Sequence, residues 1–226
     1  MRLDPALLSS VLTGGMLLEA FFSIGRTRLT TFLRHYAASS ACLACVIAVS
    51  AAVSGNPAEY AGAAATLVVK VVLIPYGLLR TARRLGDSMR LTSMTRPVLS
   101  HGLAAASVAG AWLLARRLPL SAASGRAGGG EVPLAGLLFV ALALILLGFL
   151  LLIVRRDLYS QIIGFKTLEN GISAFAVVAL GGVPFLMEMG IFAVIASGVV
   201  LMAILSGQVH ALYATHDTDT LRELTD

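Results

Sequence analysis

The chain has 226 residues, of which 58% are hydrophobic and only 13% are charged, and its mean hydropathy is +0.88. Soluble domains carry about 25% charged residues, so the composition excludes an ordinary soluble enzyme and indicates an integral membrane protein. The apolar runs have the length of about 20 residues that a membrane-crossing helix needs, and they lack the alternation of an outer-membrane strand. We therefore predict an all-α, polytopic membrane protein.

The net charge of +5 does not point to a nucleic acid, because the arginines lie in loops or at the ends of apolar runs. Arginine in such places is typical of the signals that set membrane topology. The two lysines, Lys70 and Lys166, lie inside apolar runs instead. The predicted surroundings are thus a lipid bilayer, with no nucleic-acid partner, and the lysines need an explanation of their own.

Seven apolar runs are predicted to cross the membrane as helices. In chain order they cover about residues 7–24, 36–53, 59–79, 97–115, 132–154, 158–180 and 185–208. Pro75 predicts a kink in the third run, because proline cannot donate the backbone hydrogen bond of a helix interior. In the fourth run Gly102, Ala106 and Gly110 recur at every fourth position, which predicts a face for close helix packing in lipid.

The distribution of arginine predicts the orientation of the chain. The loops after the first, third, fifth and seventh runs carry most of the arginines, and the positive side of a membrane protein is cytoplasmic. The N-terminus is therefore predicted to lie outside and the tail, residues 210–226, in the cytoplasm. In that tail Thr220 and Glu223 fit a capping box that would start a short helix, and a frayed tail is the alternative.

Six ionisable side chains inside the predicted spans are the candidate functional residues. Charge in hydrocarbon is costly, so such residues mark function by default; they are Glu19, Lys70, His101, Lys166, Glu169 and Glu188. The sequence has no Gly-rich phosphate loop, no Ser/His/Asp arrangement and no metal-type cluster of His and Cys. We expect no catalytic residue, no metal and no cofactor, and hence no covalent chemistry of the chain's own.

Lys166 and Glu169 are three residues apart, so they share one face of a helix and can touch. Asn170 completes that polar patch. One interpretation is an ion pair that neutralises itself and fixes helix packing. The other is a proton relay, because burial shifts the protonation of both groups toward neutral pH. We favour the relay, since a purely structural pair could be replaced by apolar residues at little cost.

The other four candidates differ in their depth in the predicted spans. Lys70 lies near the middle of its span and no carboxylate of its own helix faces it at that depth, so a partner from another helix or another subunit is implied. Glu19 and His101 lie toward cytoplasmic ends, where interfacial anchoring or a locally satisfied histidine is the alternative to a relay. Glu188 lies near the outer end of the last span, where a carboxylate can also reach the interface.

Several short stretches, taken in their order along the chain, resemble component E of hydrogenase-4. They are Arg155-Arg156-Asp157-Leu158 through Ile163-Gly164-Phe165, Leu168-Glu169-Asn170-Gly171, Met187-Glu188-Met189-Gly190 and the tail Asp217-Thr218-Asp219-Thr220-Leu221-Arg222-Glu223-Leu224. From about residue 133 to residue 226 the last three helices also resemble the K-type subunit of respiratory complex I and the C subunit of multi-subunit Na⁺/H⁺ antiporters. The first four spans resemble component E alone, through features such as Lys70-x-x-x-Ile74-Pro75.

The resemblance implies three parts of the chain and an assembly around it. The parts are a four-helix portion specific to component E (residues 1–131), a three-helix bundle like the K-type subunit (residues 132–209) and the cytoplasmic tail. The implied setting is a prokaryotic cytoplasmic membrane. The implied partners are large antiporter-like membrane subunits, other small membrane-arm subunits and a soluble redox arm, similar to a NiFe hydrogenase, on the cytoplasmic side.

The resemblance also implies roles for the buried charges. The K-type subunit carries carboxylates on its second and third helices, and Glu188 falls where the third-helix carboxylate would be. At the second-helix position this chain has Lys166, and Glu169 follows one turn later on the same face. Two alternatives stay open: Glu169 takes the carboxylate's role, or Lys166 makes the site a charge-paired switch.

We therefore predict a non-catalytic membrane subunit of a redox-driven, ion-translocating complex that contributes buried Glu and Lys residues to a proton path. A small subunit of a multi-subunit cation/proton antiporter and a passive spacer between larger subunits are the alternatives. A retinal protein is disfavoured because the last span contains no lysine. A stand-alone carrier is disfavoured because the sequence shows neither two similar halves nor paired broken helices.

Overall fold

The chain forms a bundle of long helices in a computed structural model. The structure describes residues 5–84, 90–91, 96–118 and 134–180, together with the single positions Val200 and Ile204. Glu188, most of the predicted seventh span and the predicted tail helix lie outside the described residues.

The described residues form eight helical segments. They are α1 (Pro5–Ser23), α2 (Leu29–Ser54), α3 (Pro57–Thr66), a π-helix (Leu67–Leu73), α4 (Ile74–Arg84), α5 (Pro97–Arg117), α6 (Leu134–Val154) and α7 (Leu158–Leu180). No β-strand occurs in the described ranges, where only an isolated bridge joins Arg28 and Arg90. The all-helical architecture is confirmed.

Within those ranges five helices are long and apolar enough to cross a membrane. They are Pro5–Ser23, Leu29–Ser54, Pro57–Arg84, Pro97–Arg117 and Ala135–Val154. Helix α7 has 23 residues and is not among these five. A multi-pass membrane protein is thus supported, and the total of seven spans stays a prediction.

Helix α2 begins at Leu29, seven residues before the predicted start, so the predicted boundary was wrong. The adjacent basic residues Arg34 and His35 favoured the assignment of this stretch to a loop. Leu29, Phe32, Leu33 and Tyr36 are nevertheless buried, and their spacing of three and four residues forms one apolar helix face. Packing of that face continues the helix past the two basic residues.

The third span changes its winding around Lys70. Residues 67–73 form a π-helix, which ends with the Ile74 N–H bonded to the Val69 carbonyl five residues back. Pro75 follows directly and has no N–H to donate, so it also disturbs the regular ladder of the preceding turn. Single π-turns inside α-helices occur frequently at functional sites. The regular α-helical winding is thus interrupted just before Pro75, in turns that include Lys70, and the kink itself stays a prediction.

Three connections lie together at one end of the bundle. The Arg155 guanidinium, between α6 and α7, donates to the Ile24 carbonyl at 2.5 Å and to the Arg26 carbonyl at 2.8 Å. The Leu91 N–H donates to the Thr27 carbonyl at 2.7 Å. The connections after the first, third and fifth spans thus share an end, as alternating membrane crossings require. Burial lowers the pKa of Arg155, and the Asp157 carboxylate opposes that effect.

Helices α6 and α7 approach closely at glycines. A Cβ atom on Gly171 would lie 2.7 Å from the Ile145 nitrogen, and one on Gly148 would lie 2.6 Å from the Leu168 nitrogen. Such contacts require the missing side chain, and small residues commonly let helices pack in lipid. The glycine contacts fix the rotation of α7 and so decide which of its residues face the rest of the bundle.

The predicted packing face on α5 is not used among the residues that the structure describes, and it stays a prediction. Gly102, Ala106 and Gly110 are exposed, and a Cβ atom on either glycine would meet no atom within 4 Å. The buried residues of α5 are Ser100, Ala104 and Ala111. Helix α5 packs against α6. The small-residue pattern alone does not indicate which partner a helix face will meet.

Candidate functional site

A cluster of charged and polar side chains lies buried where α2, the π-helix and α7 meet. Lys70, Lys166, Glu169 and Asn170 are each at most 3% exposed. Lys70 comes from the π-helix, and the other three come from the middle of α7. Burial of charge away from water is tolerated only with close partners, so the contacts inside this cluster decide whether the fold can hold it.

Glu169 bridges the two lysines. Its Oε1 lies 2.9 Å from the Lys70 Nζ, and its Oε2 forms an ion pair with the Lys166 Nζ. The second pair joins residues three apart on one helix, so the predicted shared face of Lys166 and Glu169 is confirmed. One carboxylate therefore serves two ammonium groups at once.

Lys70 makes its contacts with α7. Besides Glu169, its ammonium donates to the Asn170 Oδ1 at 3.0 Å and to the Ser173 Oγ at 3.4 Å. An ammonium has three N–H donors, and α7 offers an acceptor for each. The expectation that Lys70 needs a partner from another helix is confirmed.

Helix α2 extends the cluster on its other side. The Asn170 side-chain amide donates to the Ser40 Oγ at 2.8 Å. Tyr36 lies one turn before Ser40, is 3% exposed and has its hydroxyl near enough to interact electrostatically with Glu169. The sequence analysis missed both α2 residues. The sequence feature that could have indicated a polar site on α2 was a pair of serines, Ser39 and Ser40, in the middle of an otherwise apolar run.

Glu19 and His101 do not join this cluster. The Glu19 Oε2 pairs with the His35 Nδ1 at 2.6 Å, and the Glu19 side chain is 35% exposed. The His101 Nδ1 lies 2.8 Å from the Pro97 carbonyl of its own helix, and its ring packs edge-on against Phe21. Of the predicted site residues, the described part of the chain brings together Lys70, Lys166 and Glu169.

The described residues offer no group of three or more His, Cys, Asp or Glu side chains that could hold a metal ion. The cluster itself has one carboxylate and two ammonium groups, and an ammonium has no lone pair to offer a cation. What the cluster offers chemically is a set of groups that can gain or lose a proton. Its members are oxygen and nitrogen groups in contact with one another, and three of them can change charge.

The fold and the site define a class: a helical membrane protein with an ionisable cluster buried between its helices. Residues 136–226 match the family of NADH-ubiquinone/plastoquinone oxidoreductase chain 4L. Over 94% of its length the chain is 25% identical to hydrogenase-4 component E of Escherichia coli (strain K12), of which it covers 95%. It is likewise 26% identical to the uncharacterized protein Rv0085 of Mycobacterium tuberculosis, over 94% of both chains. No solved structure matches the chain.

The chain is therefore similar to hydrogenase-4 component E over nearly its whole length, and its C-terminal part is similar to chain 4L, the K-type subunit. The predicted resemblance is confirmed, and the matched region begins within a few residues of the predicted one. The likeness to the C subunit of antiporters stays a prediction.

The cluster draws on both portions of the chain. Lys166, Glu169 and Asn170 lie in the matched region 136–226, whereas Lys70, Ser40 and Tyr36 lie before it. The matched region alone would lack the second lysine and its α2 neighbours. The part of the chain that the chain 4L match leaves out thus completes the site.

Proposed function

We propose that this chain is a non-catalytic integral-membrane subunit of a redox-driven, ion-translocating complex of the hydrogenase-4 or complex-I type. In this proposal the Lys70–Glu169–Lys166 cluster is a proton-transfer station in the membrane. The similarity to hydrogenase-4 component E and to chain 4L supports the setting. The sharing of one buried carboxylate by two lysines carries the proposed role.

The charge balance of the cluster supports proton transfer over a fixed structural role. When all three groups are ionised, the cluster has one more positive charge than negative. An uncompensated charge in a protein interior costs several kcal/mol. The surplus vanishes when one lysine releases a proton, and Glu169 then remains paired with the other. The cluster can thus alternate between two protonation states without losing its central ion pair.

The surroundings follow from the same proposal. Large antiporter-like subunits and other small membrane-arm subunits would lie beside this chain, and a soluble redox arm would dock on the cytoplasmic face. The arginine-rich end, which holds Arg26, Arg28 and Arg155, would face the cytoplasm of a prokaryotic cell. The N-terminus would then lie outside and the tail inside.

The test uses the complex purified from membranes through a tag on this chain, with its polypeptides identified by mass spectrometry. Glu169→Gln keeps the size of the side chain and removes its charge and its proton exchange. Assembly should be retained, because each buried lysine can release a proton and become a neutral amine once its counter-charge is gone. Proton uptake into inside-out vesicles, followed with a pH-sensitive dye, should fall by at least about tenfold. Ser107→Ala, on the exposed side of α5, is the matched control and should behave as wild type.

A passive spacer is the second candidate, because the exposed small-residue face of α5 is suited to contact with another helix. This role needs no titratable group. It predicts full proton uptake when Lys70, Lys166 and Glu169 are replaced together by methionine or leucine. Loss of uptake in an assembled complex excludes the spacer, and full uptake excludes the proton station. A small subunit of a cation/proton antiporter predicts that co-purification finds antiporter subunits and no redox arm.

A further inference from the structure

Glu59 is a second buried carboxylate, at the far end of the third span from Arg84. It is 6% exposed although its neighbours Asn56, Pro57 and Tyr60 are exposed. Its Oε2 is buried and has no hydrogen-bond partner among the residues that the structure describes. Buried polar atoms are nearly always paired, so an exception requires an explanation.

A structural role at the start of α3 does not explain this burial. An acidic residue in a first turn does favour the helix dipole. That effect needs no burial, and the helix start is already capped, because the Asn56 side chain accepts from the Ala58 N–H at 3.1 Å. A carboxylate with only this role would be better placed in water, since its desolvation costs free energy.

Glu59 lies on the same helix face as the cluster lysine. Glu59, Thr66 and Lys70 are spaced by seven and four residues, and all three are buried, so they form one polar stripe on the inner side of the span. The rise of a helix separates Glu59 from Thr66 by about 10 Å and Thr66 from Lys70 by about 6 Å. Between them, Gly62 and Ala63 occupy the buried face. Their small side chains leave more room for water than large apolar ones would.

We propose that Glu59 is a proton-binding site that exchanges protons with Lys70 through the Thr66 hydroxyl and bridging water. The inference rests on the proposed function and names the route by which protons pass between the cluster and one membrane surface. In the transfer, the Lys70 ammonium gives up one proton and becomes a neutral amine. The Glu59 carboxylate receives one proton and becomes a carboxylic acid. The surplus positive charge of the cluster thereby leaves toward the Glu59 end.

Proton uptake by the whole complex in inside-out vesicles tests the route. Glu59→Gln should lower uptake by at least about tenfold, and Glu59→Asp, which keeps an acid, should restore much of it. Thr66→Val should lower uptake and Thr66→Ser should retain it. Asn56→Ala, which weakens the same helix start without removing a carboxylate, is the control and should transport as wild type.

The outcomes separate this inference from the proposed function. Normal uptake by Glu59→Gln, with uptake still lost in Glu169→Gln, overturns the Glu59 route and leaves the proton station standing. Normal uptake by Glu169→Gln overturns the station itself.

A labelling experiment on the wild-type complex reads Glu59 without any variant. Dicyclohexylcarbodiimide reacts with protonated carboxyl groups in apolar surroundings, and peptide mass spectrometry locates the adduct. Modification of Glu59 supports a buried carboxyl that takes up protons. An unmodified Glu59 overturns the inference. This result can be obtained even if the Glu59→Gln variant does not assemble, because the labelling uses the wild-type complex.

Discussion

At the scale of single residues, the two lysines of the cluster are not equivalent. Lys70 contacts three acceptors on α7, namely Glu169, Asn170 and Ser173. Lys166 pairs with Glu169 from the same helix. Loss of either lysine leaves Glu169 in one balanced ion pair. Loss of Lys70 also leaves Asn170 and Ser173 without this donor and removes the polar link between the π-helix and α7.

This difference predicts opposite effects on stability. Lys70→Met should lower the free energy of unfolding by roughly 1–3 kcal/mol for each buried acceptor left without a donor, because Asn170 Oδ1 and Ser173 Oγ lose their hydrogen bonds. Lys166→Met should leave stability unchanged or raise it, because the remaining Lys70–Glu169 pair carries no surplus charge. Thermal unfolding of the purified protein in detergent, followed by circular dichroism, provides the measurement. Equal destabilisation by both variants would show that the lysines share one structural role.

Sequence reasoning reached part of this site. The spacing of Lys166 and Glu169 predicted their contact because helix geometry determines it. The depth of Lys70 predicted a partner from elsewhere, but no local pattern could name α7 as its source. The sequence did not indicate Ser40 and Tyr36 as site residues, because serine and threonine hydroxyl groups inside helices often bond to their own backbone. Only the tertiary fold shows that the Ser40 Oγ accepts a hydrogen bond from the Asn170 side-chain amide.

At the scale of helices, the rotation of α7 decides whether its charges meet Lys70. The glycine contacts with α6 set that rotation, since the backbones touch at Gly148 and Gly171. The sequence analysis singled out the glycines of α5 instead, where the small residues are exposed. Composition shows that close packing is possible, but it does not show which surface will meet a partner.

Gly171→Ala tests the role of this contact. The added Cβ would lie 2.7 Å from the Ile145 nitrogen and 2.8 Å from the Ala141 carbonyl, and both are backbone atoms that cannot move aside alone. The variant should lose about 1–3 kcal/mol of stability and should lose proton uptake as α7 is displaced. Gly136→Ala on α6, where the Cβ meets no atom within 4 Å, should be neutral or slightly stabilising. Similar melting temperatures for the two variants would contradict the close-contact account.

At the scale of the whole molecule, the arginine count and the contacts agree on which connections share an end. The Arg155 guanidinium donates hydrogen bonds to the carbonyls of Ile24 and Arg26, and the Leu91 N–H donates one to the Thr27 carbonyl. The connection between α2 and α3, with Gly55 at a φ of 68°, lies at the other end of α2. The sequence could predict that successive connections lie at opposite ends of the bundle, because the apolar runs and the positions of the arginines can be read directly from it. It could not predict the π-helix, because the apolar run 67–73 has no pattern that distinguishes this winding from an α-helix.

The orientation in the membrane has its own test. In a background with Cys42 and Cys45 replaced by alanine, single cysteines at Thr27 and Ser54 are treated with a membrane-impermeant maleimide. Intact cells should label Ser54→Cys, and inside-out vesicles should label Thr27→Cys, if the arginine-rich end faces the cytoplasm as we propose. The reverse pattern would contradict the orientation. Labelling of both from one side would contradict the alternation of the first two spans.

The central claim is that Glu169 carries protons and does not merely hold helices together. Its most direct test is the number of protons taken up per electron transferred, measured on the same inside-out vesicles for wild type, Glu169→Asp and Glu169→Gln. The account predicts that Glu169→Gln keeps electron transfer while its proton-to-electron ratio falls, and that Glu169→Asp keeps a ratio near that of wild type. An unchanged ratio in Glu169→Gln, in a fully assembled complex, would contradict it.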